Sequence, residues 1–198
     1  MKRRIGIFGG TFNPPHIGHV EAAKAFAEEA RLDSLIIMPA FIPPHKEYDS
    51  LVSCDERLKM CKIAFKDVKN STVSDLEIAR GGKSYTYLTL QELTQDDTDL
   101  FFLCGTDMIL TMDRWKNPDI IFSMATVCYI RRENDPEIEA EIQRKCSQYV
   151  SEFNAKIMPI DKDVIEISSS EIRQGKCDLN SYLQPEIIEY ISSRDLYK

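Results

Sequence analysis

Residues 4–32 read RIGIFGGTFNPPHIGHVEAAKAFAEEARL and hold a strand, a turn and a helix in one line. The apolar run at 4–9, RIGIFG, predicts a buried strand. Val20, Ala23, Ala27 and Ala30 recur at helical spacing and predict a helix over residues 19–32. Between them stand two glycines, two prolines and a histidine, and a second histidine opens the helix. A buried strand can pass to a helix through a short, plain turn. This one leaves through a segment crowded with polar groups, so the turn is where a ligand is to be sought.

The same order continues outward. SLIIMP, residues 34–39, predicts a second strand ended by proline. AFIPPHKE, 40–47, is a loop, since paired prolines stop either regular structure. A helix is expected over 54–68, with Leu58, Cys61 and Ala64 or Phe65 on its apolar face. STVSDLEIA, 71–79, is expected as a third strand, a helix begins in SYTYLTLQELTQ, and DLFFLCG, 99–105, is a fourth strand. A short helix, a fifth strand near 125–130, an amphipathic helix over 135–149, one more strand in AKIMPI and a final helix over 184–197 complete the chain.

Alternating strands and helices predict a mainly parallel sheet with helices on both faces, a three-layer Rossmann-like α/β fold. The strands are nearly continuous apolar runs, as expected when both sheet faces are covered. The 198 residues suit one domain, with 165–198 as a small helical carboxyl-terminal part. Right-handed crossovers bring the opening turn, PPHK, CGTD and ISSSEIR to the carboxyl edge of the sheet, where they can line one crevice.

Bulk properties exclude several classes. The formal net charge of −7 argues against broad nucleic-acid binding, which needs a basic footprint. It leaves a local anion pocket open, because a pocket depends on a few nearby groups. No apolar run reaches the ~18 residues of a membrane span. MKRRIGIFGG is too short in its apolar part for a signal peptide, so the chain is read as cytoplasmic. The six cysteines form no close C-x-x-C pair and are read as free thiols in a reducing compartment.

In the opening turn, Gly9 and Gly10 can adopt conformations other residues resist and let a ligand approach closely. The amides of Thr11 and Phe12 can face a concavity suited to phosphate, and the helix beginning near Gly18 adds unpaired N–H groups. Neither the P-loop nor the G-x-G-x-x-G pattern is matched. His16 and His19 are three apart and would share a face on a first helical turn. Capping, metal ligation and contact with phosphate oxygens compete. Phosphate contact fits best, since His45 is the remaining histidine and there is no H-E-x-x-H.

At the other end of the chain, Ser168 and Glu171 form an S-x-x-E capping box. Arg173 would fall in the first turns of that helix and oppose its dipole, a conflict that a bound anion would remove. Lys46, behind two prolines and His45, could present an ammonium to phosphate or be a plain surface lysine. Gly105 permits close backbone approach, and Asp107 could accept from ribose hydroxyls or cap a helix. Trp115, the sole tryptophan, lies in a polar segment and suits either packing or stacking on a flat ring. Thr86 stands at a loop-to-helix junction, as a cap or facing outward.

GGTFNPPHIGH resembles the first motif of the T/H-x-G-H nucleotidyltransferase superfamily. IPPHK at 42–46, SYTYLTL at 84–90, FFLCGTDM at 101–108, RW at 114–115, ISSSEIR at 167–173 and IIEYISSRDLY near the end resemble, in order, bacterial nicotinate-mononucleotide adenylyltransferases. HIGH also resembles class I aminoacyl-tRNA synthetases, but no K-M-S-K-S string follows.

The adenylyltransferase resemblance implies that Gly9, Gly10, Thr11 and Phe12 cradle ATP phosphate, with His16, His19, Lys46 and Arg173 as catalytic cations and donors. It assigns Gly105 and Asp107 to the adenosine side, Ile167, Ser168, Ser169 and Ser170 to the ATP phosphates, and Trp115 to the nicotinate ring. Tyr85 and Thr86 fall near the nicotinate carboxylate, and Asn13 orders the loop beside a phosphate. The chain departs from the family at Ser170, often threonine, at Asn13, often aspartate, and at MDRW, usually nearer F-x-x-W.

The implied reaction joins ATP and nicotinate mononucleotide into nicotinate adenine dinucleotide and pyrophosphate. Mg²⁺ would arrive with ATP, without an all-protein metal cage. Neither nucleic acid nor membrane is expected as a partner, and a homo-oligomer stays open. Rival readings are an adenylyl- or cytidylyltransferase with another acceptor, such as nicotinamide mononucleotide or phosphopantetheine, and a nucleotide sensor without turnover.

Overall fold

Side chains in each long strand alternate between two separate cores. In β1, Arg3–Gly10, Phe8 joins one core and Ile7 the other. In β2, Ser34–Pro39, Leu35 and Ile37 face the first core while Met38 joins the second. Phe101 and Leu103 of β4, Thr98–Gly105, oppose Leu100, Phe102 and Cys104 in the same way. Strands buried on both faces need helices on both faces, and that is the architecture found in this computed structural model. It describes residues 2–44, 51–130, 135–161, 165 and 167–197.

Among these residues, six strands form one sheet in the order β3-β2-β1-β4-β5-β6, with β3 at Ser71–Val73, β5 at Ala125–Ile130 and β6 at Ile157–Ile160. Every pairing is parallel. One face carries α1, Ile17–Glu29, and α2, Cys54–Ala64. The other carries α4, Thr86–Leu93, α5, Thr106–Ile109, α6, Pro118–Met124, and α7, Pro136–Phe153. Short α8, Ser169–Arg173, and α9, Leu179–Tyr182, lead to α10, Pro185–Ser193, which packs on α2. Gly6 shows how closely the first layer sits: a Cβ there would lie 2.2 Å from Leu32 Cδ1 and 2.9 Å from Phe26 Cε1.

Three expectations are corrected. The strand expected over 71–79 stops at Val73, and Leu76–Arg80 forms a helix, α3. The Ser74 hydroxyl accepts from Leu76 N at 3.2 Å, which turns the chain locally out of the ladder. The helix expected over 54–68 ends at Ala64, and its buried face is Arg57, Met60, Cys61 and Ala64 rather than one built on Leu58. The final helix ends at Ser193, not 197. The six cysteines are free, and burial pushes the Cys128 thiol up to about 12.

Strand order reverses between β1 and β4, whose following helices leave to opposite faces. A crevice opens beyond the carboxyl ends of strands at such a switch point. No helix of the described residues is long and apolar enough to cross a membrane.

Candidate active site

A cavity of about 370 Å³ occupies this switch point. Its wall on the β1 side begins with Gly9 and Gly10, which remain in the strand. The expected unusual glycine conformation is absent there: the positive φ falls on Phe12, at 49°. Phe12 is 1% exposed, and its ring packs edge-on to Phe8 and Phe65 at 5.4 and 5.6 Å. A Cβ on Gly10 would lie 2.8 Å from that ring. Gly10 is therefore small to admit Phe12, whose burial holds the turn in an otherwise unfavourable conformation.

The turn delivers His16 to the N-cap of α1 and His19 to its third position. Their rings lie 3.6 Å apart between centroids. His16 N–H donates to His19 Nδ1 at 3.2 Å. With Nδ1 accepting, the proton of neutral His19 is on Nε2, which makes Nε2 its donor. Gly18 lets a second segment cross here: a Cβ would sit 2.7 Å from Ile165 O.

The opposite wall comes from the chain's far end. Ser168 and Glu171 form the expected capping box, with reciprocal bonds of 2.9 and 3.2 Å. The Ser168 hydroxyl and amide hold the Glu171 carboxyl below the usual range. Ser169 Oγ donates to Pro14 O at 2.8 Å, and Arg173 Nη1 donates to Asn13 O at 2.7 Å. These bonds stitch α8 onto the opening turn. The expected dipole conflict at Arg173 is corrected: α8 has five residues, so Arg173 ends it, where a cation suits the dipole.

Across the cavity, Gly105 caps α5, and Asp107 lies exposed in its first turn. Trp115 follows a 3-10 turn at Met112–Arg114, and its ring meets Phe102 edge-on at 6.2 Å. Asp113 ties this turn to α7 through Lys145 at 2.8 Å and the Tyr149 hydroxyl at 3.1 Å. Burial pushes the Asp113 carboxyl up, but those two bonds outweigh it and hold it below its ordinary value.

The cavity thus gathers Gly9, Gly10, Thr11, Phe12, Asn13, His16, His19, Thr86, Gly105, Asp107, Trp115, Ile167, Ser168, Ser169, Ser170 and Arg173. Tyr85 caps α4 beside it, its ring 6.1 Å from Tyr87, and is not among the lining residues. Lys46 and His45 lie outside the described residues. Among the described residues, no three His, Cys, Asp or Glu side chains are grouped to hold a metal.

Two residues of the site escaped sequence reasoning. Arg57 is fully buried and donates to three main-chain carbonyls: Thr11 at 2.9 Å, Phe41 at 3.0 Å and Val52 at 3.3 Å. It braces the turns after β1 and β2 from behind. Its signal was available, since an arginine occupies the i, i+3, i+4, i+7 face of α2. Glu77 lines the cavity at 7% exposure and accepts from Thr89 Oγ1 at 2.5 Å. Burial pushes its carboxyl up, against the opposing hydrogen bonds of Thr89 and Ser84 and the charge of Arg80. Ser84 Oγ in turn accepts from Phe41 N at 2.9 Å, fastening the loop after β2. Glu77 was obscured by the strand expected around it.

A switch-point cleft with paired histidines at a helix N-terminus and an arginine docked on the same turn defines a Rossmann-like nucleotidyltransferase. The cytidylyltransferase-like family model matches residues 7–175. A probable nicotinate-nucleotide adenylyltransferase of Listeria monocytogenes is 31% identical over 199 residues, covering 100% of this chain and 98% of that protein. One of Clostridium botulinum is 34% identical over 200 residues, covering 99% and 98%. The solved Plasmodium falciparum nicotinic acid mononucleotide adenylyltransferase complexed with NaAD has the same fold, with TM-score 0.74 and 22% identity over 98% of this chain and 97% of that one. The chain belongs to the cytidylyltransferase-like family and, within it, to the nicotinate-nucleotide adenylyltransferases.

Proposed function

We propose that this chain is a cytoplasmic enzyme that transfers the adenylyl group of ATP to nicotinate mononucleotide. The products are nicotinate adenine dinucleotide and pyrophosphate. The observation that carries the reading is the joining of His16, His19 and Arg173 around one turn, although Arg173 reaches Asn13 of that turn from 160 positions away in sequence. Donors and cations meeting at a helix N-terminus suit a polyphosphate.

The 5′-phosphate of the mononucleotide attacks the α-phosphorus of ATP. A P–O bond forms there as the bond to the β-phosphate oxygen breaks in line. The attacking phosphate is already anionic, so no side chain has to become a nucleophile. Rate comes from alignment and from stabilising charge on the phosphate oxygens. His16 and His19 serve the α- and β-phosphate oxygens, and the Gly9–Phe12 main chain approaches them. Arg173 and Lys46 clamp the chain of phosphates, helped by Ile167, Ser168, Ser169 and Ser170. Gly105 and Asp107 serve adenosine, Trp115 walls the pyridine ring, and Tyr85 and Thr86 stand by its carboxylate. Asn13 orders the turn. ATP would bring Mg²⁺ with it, and the ion would offset charge on the phosphate oxygens. The cationic and amide donors of the turn suit phosphate oxygens, which would carry the ion.

A panel of acceptors with ATP or CTP and Mg²⁺ tests the assignment. Pyrophosphate release should require ATP and nicotinate mononucleotide. Release with phosphopantetheine or nicotinamide mononucleotide and none with nicotinate mononucleotide would reverse the acceptor. ATP binding by calorimetry without product from any acceptor would leave a sensor.

A further inference from the structure

The last turns of the chain reach into the active-site loop. Beyond α10, Asp195 and Tyr197 both take positive φ, 57° and 66°, and swing the tail back toward the sheet. Tyr197 packs against the core that holds Phe8, Phe12 and Phe65. Its hydroxyl donates to Asn13 Oδ1 at 2.8 Å, across 184 residues. The same Oδ1 accepts from Val52 N at 3.4 Å, while Asn13 O accepts from Arg173 Nη1. Asn13 is 1% exposed and sits between Phe12 and the turn into His16. One buried residue therefore collects the approach to α2 and the tail on its side-chain oxygen and the arginine of α8 on its main-chain carbonyl.

We infer that Tyr197 is a positioning residue for phosphoryl transfer, its hydroxyl fixing Asn13 and through it Arg173 and the histidine turn. The inference rests on the adenylyl-transfer reading. Burial pushes the phenol up, with Arg173 and Arg57 opposing, so it stays a protonated donor at neutral pH. Asn13 Oδ1 must be the acceptor in this bond if the phenol donates, which orients the amide group as a whole. Two residues hold left-handed backbone where the tail makes this contact.

Tyr197→Phe keeps the ring in its packing and removes the bond alone. Tyr190→Phe is the control: Tyr190 donates to Glu56 Oε2 at 2.6 Å, between α10 and α2 and outside the cavity lining. Both variants and wild type are assayed with ATP and nicotinate mononucleotide, well below their melting temperatures. Tyr197→Phe should lower kcat about tenfold while KM for the mononucleotide moves less than about twofold. Tyr190→Phe should lower the melting temperature and leave kcat unchanged. Wild-type kcat in Tyr197→Phe overturns the inference, as does an equal fall of kcat in both variants. A wild-type enzyme inactive with nicotinate mononucleotide would instead overturn the reading beneath it, so the two failures are distinct.

Discussion

Replacing Arg57 by methionine probes the brace behind the active site. Methionine fills much of the volume of the aliphatic stem but donates nothing. The carbonyls of Thr11, Phe41 and Val52 then lose the guanidinium donors now at 2.9, 3.0 and 3.3 Å. Each hydrogen bond from a charged donor contributes about 1.5–3 kcal/mol. Relief from burying a guanidinium offsets part of that sum. A net loss of about 3–5 kcal/mol follows, and for a chain this long each kcal/mol lowers Tm by about 2–4 °C. Calorimetry should therefore show Tm about 6–20 °C lower. Arg57→Lys keeps the charge but cannot present a planar fork to three separate carbonyls, so it should fall between. Because Thr11 lines the cavity in the turn proposed to hold phosphate, kcat should drop in both variants at temperatures where they remain folded. An Arg57→Met protein melting within about 2 °C of wild type would refute the reasoning, since the loss of three charge-assisted bonds cannot be so cheap.

Trp115→Ala should raise KM for the mononucleotide by about 2–10-fold and KM for ATP less; equal changes would argue against ring stacking. His19→Ala should cut kcat by about 100-fold or more with an unchanged circular dichroism spectrum, and full turnover would remove His19 from the catalytic set. Gly18→Ala places a methyl 2.7 Å from Ile165 O. Denaturant unfolding should show about 1–3 kcal/mol lost, whereas an unchanged midpoint would mean the crossing segment gives way freely. Glu77 binds its proton more tightly folded than unfolded, since burial raises its value from 4.5. Its contribution to stability is greatest below about pH 4.5 and falls as pH rises through the raised value. Glu77→Gln should remove that downward slope, and a stability–pH curve identical to wild type would show that Glu77 does not cause it.

The parallel sheet was legible in the chain itself. Runs such as IGIF, LIIM and LFFLC are apolar at every position, which suits strands covered on both faces and little else of that length. The turn between β1 and α1 and the capping box at Ser168 were legible too, because each depends on residues within a few places of one another. Short helices α3, α5 and α9 were not, since four or five residues carry no period.

Local order and motif chemistry were thus determined by sequence alone. Which residues brace one another was decided by the tertiary structure. Phe12 claims the space beside Gly10, Arg57 spans the turns after two strands, and Tyr197 reaches Asn13 from the opposite end of the chain. A hydrogen bond has no sequence range: burial brings distant donors and acceptors together, and it penalises those left without partners.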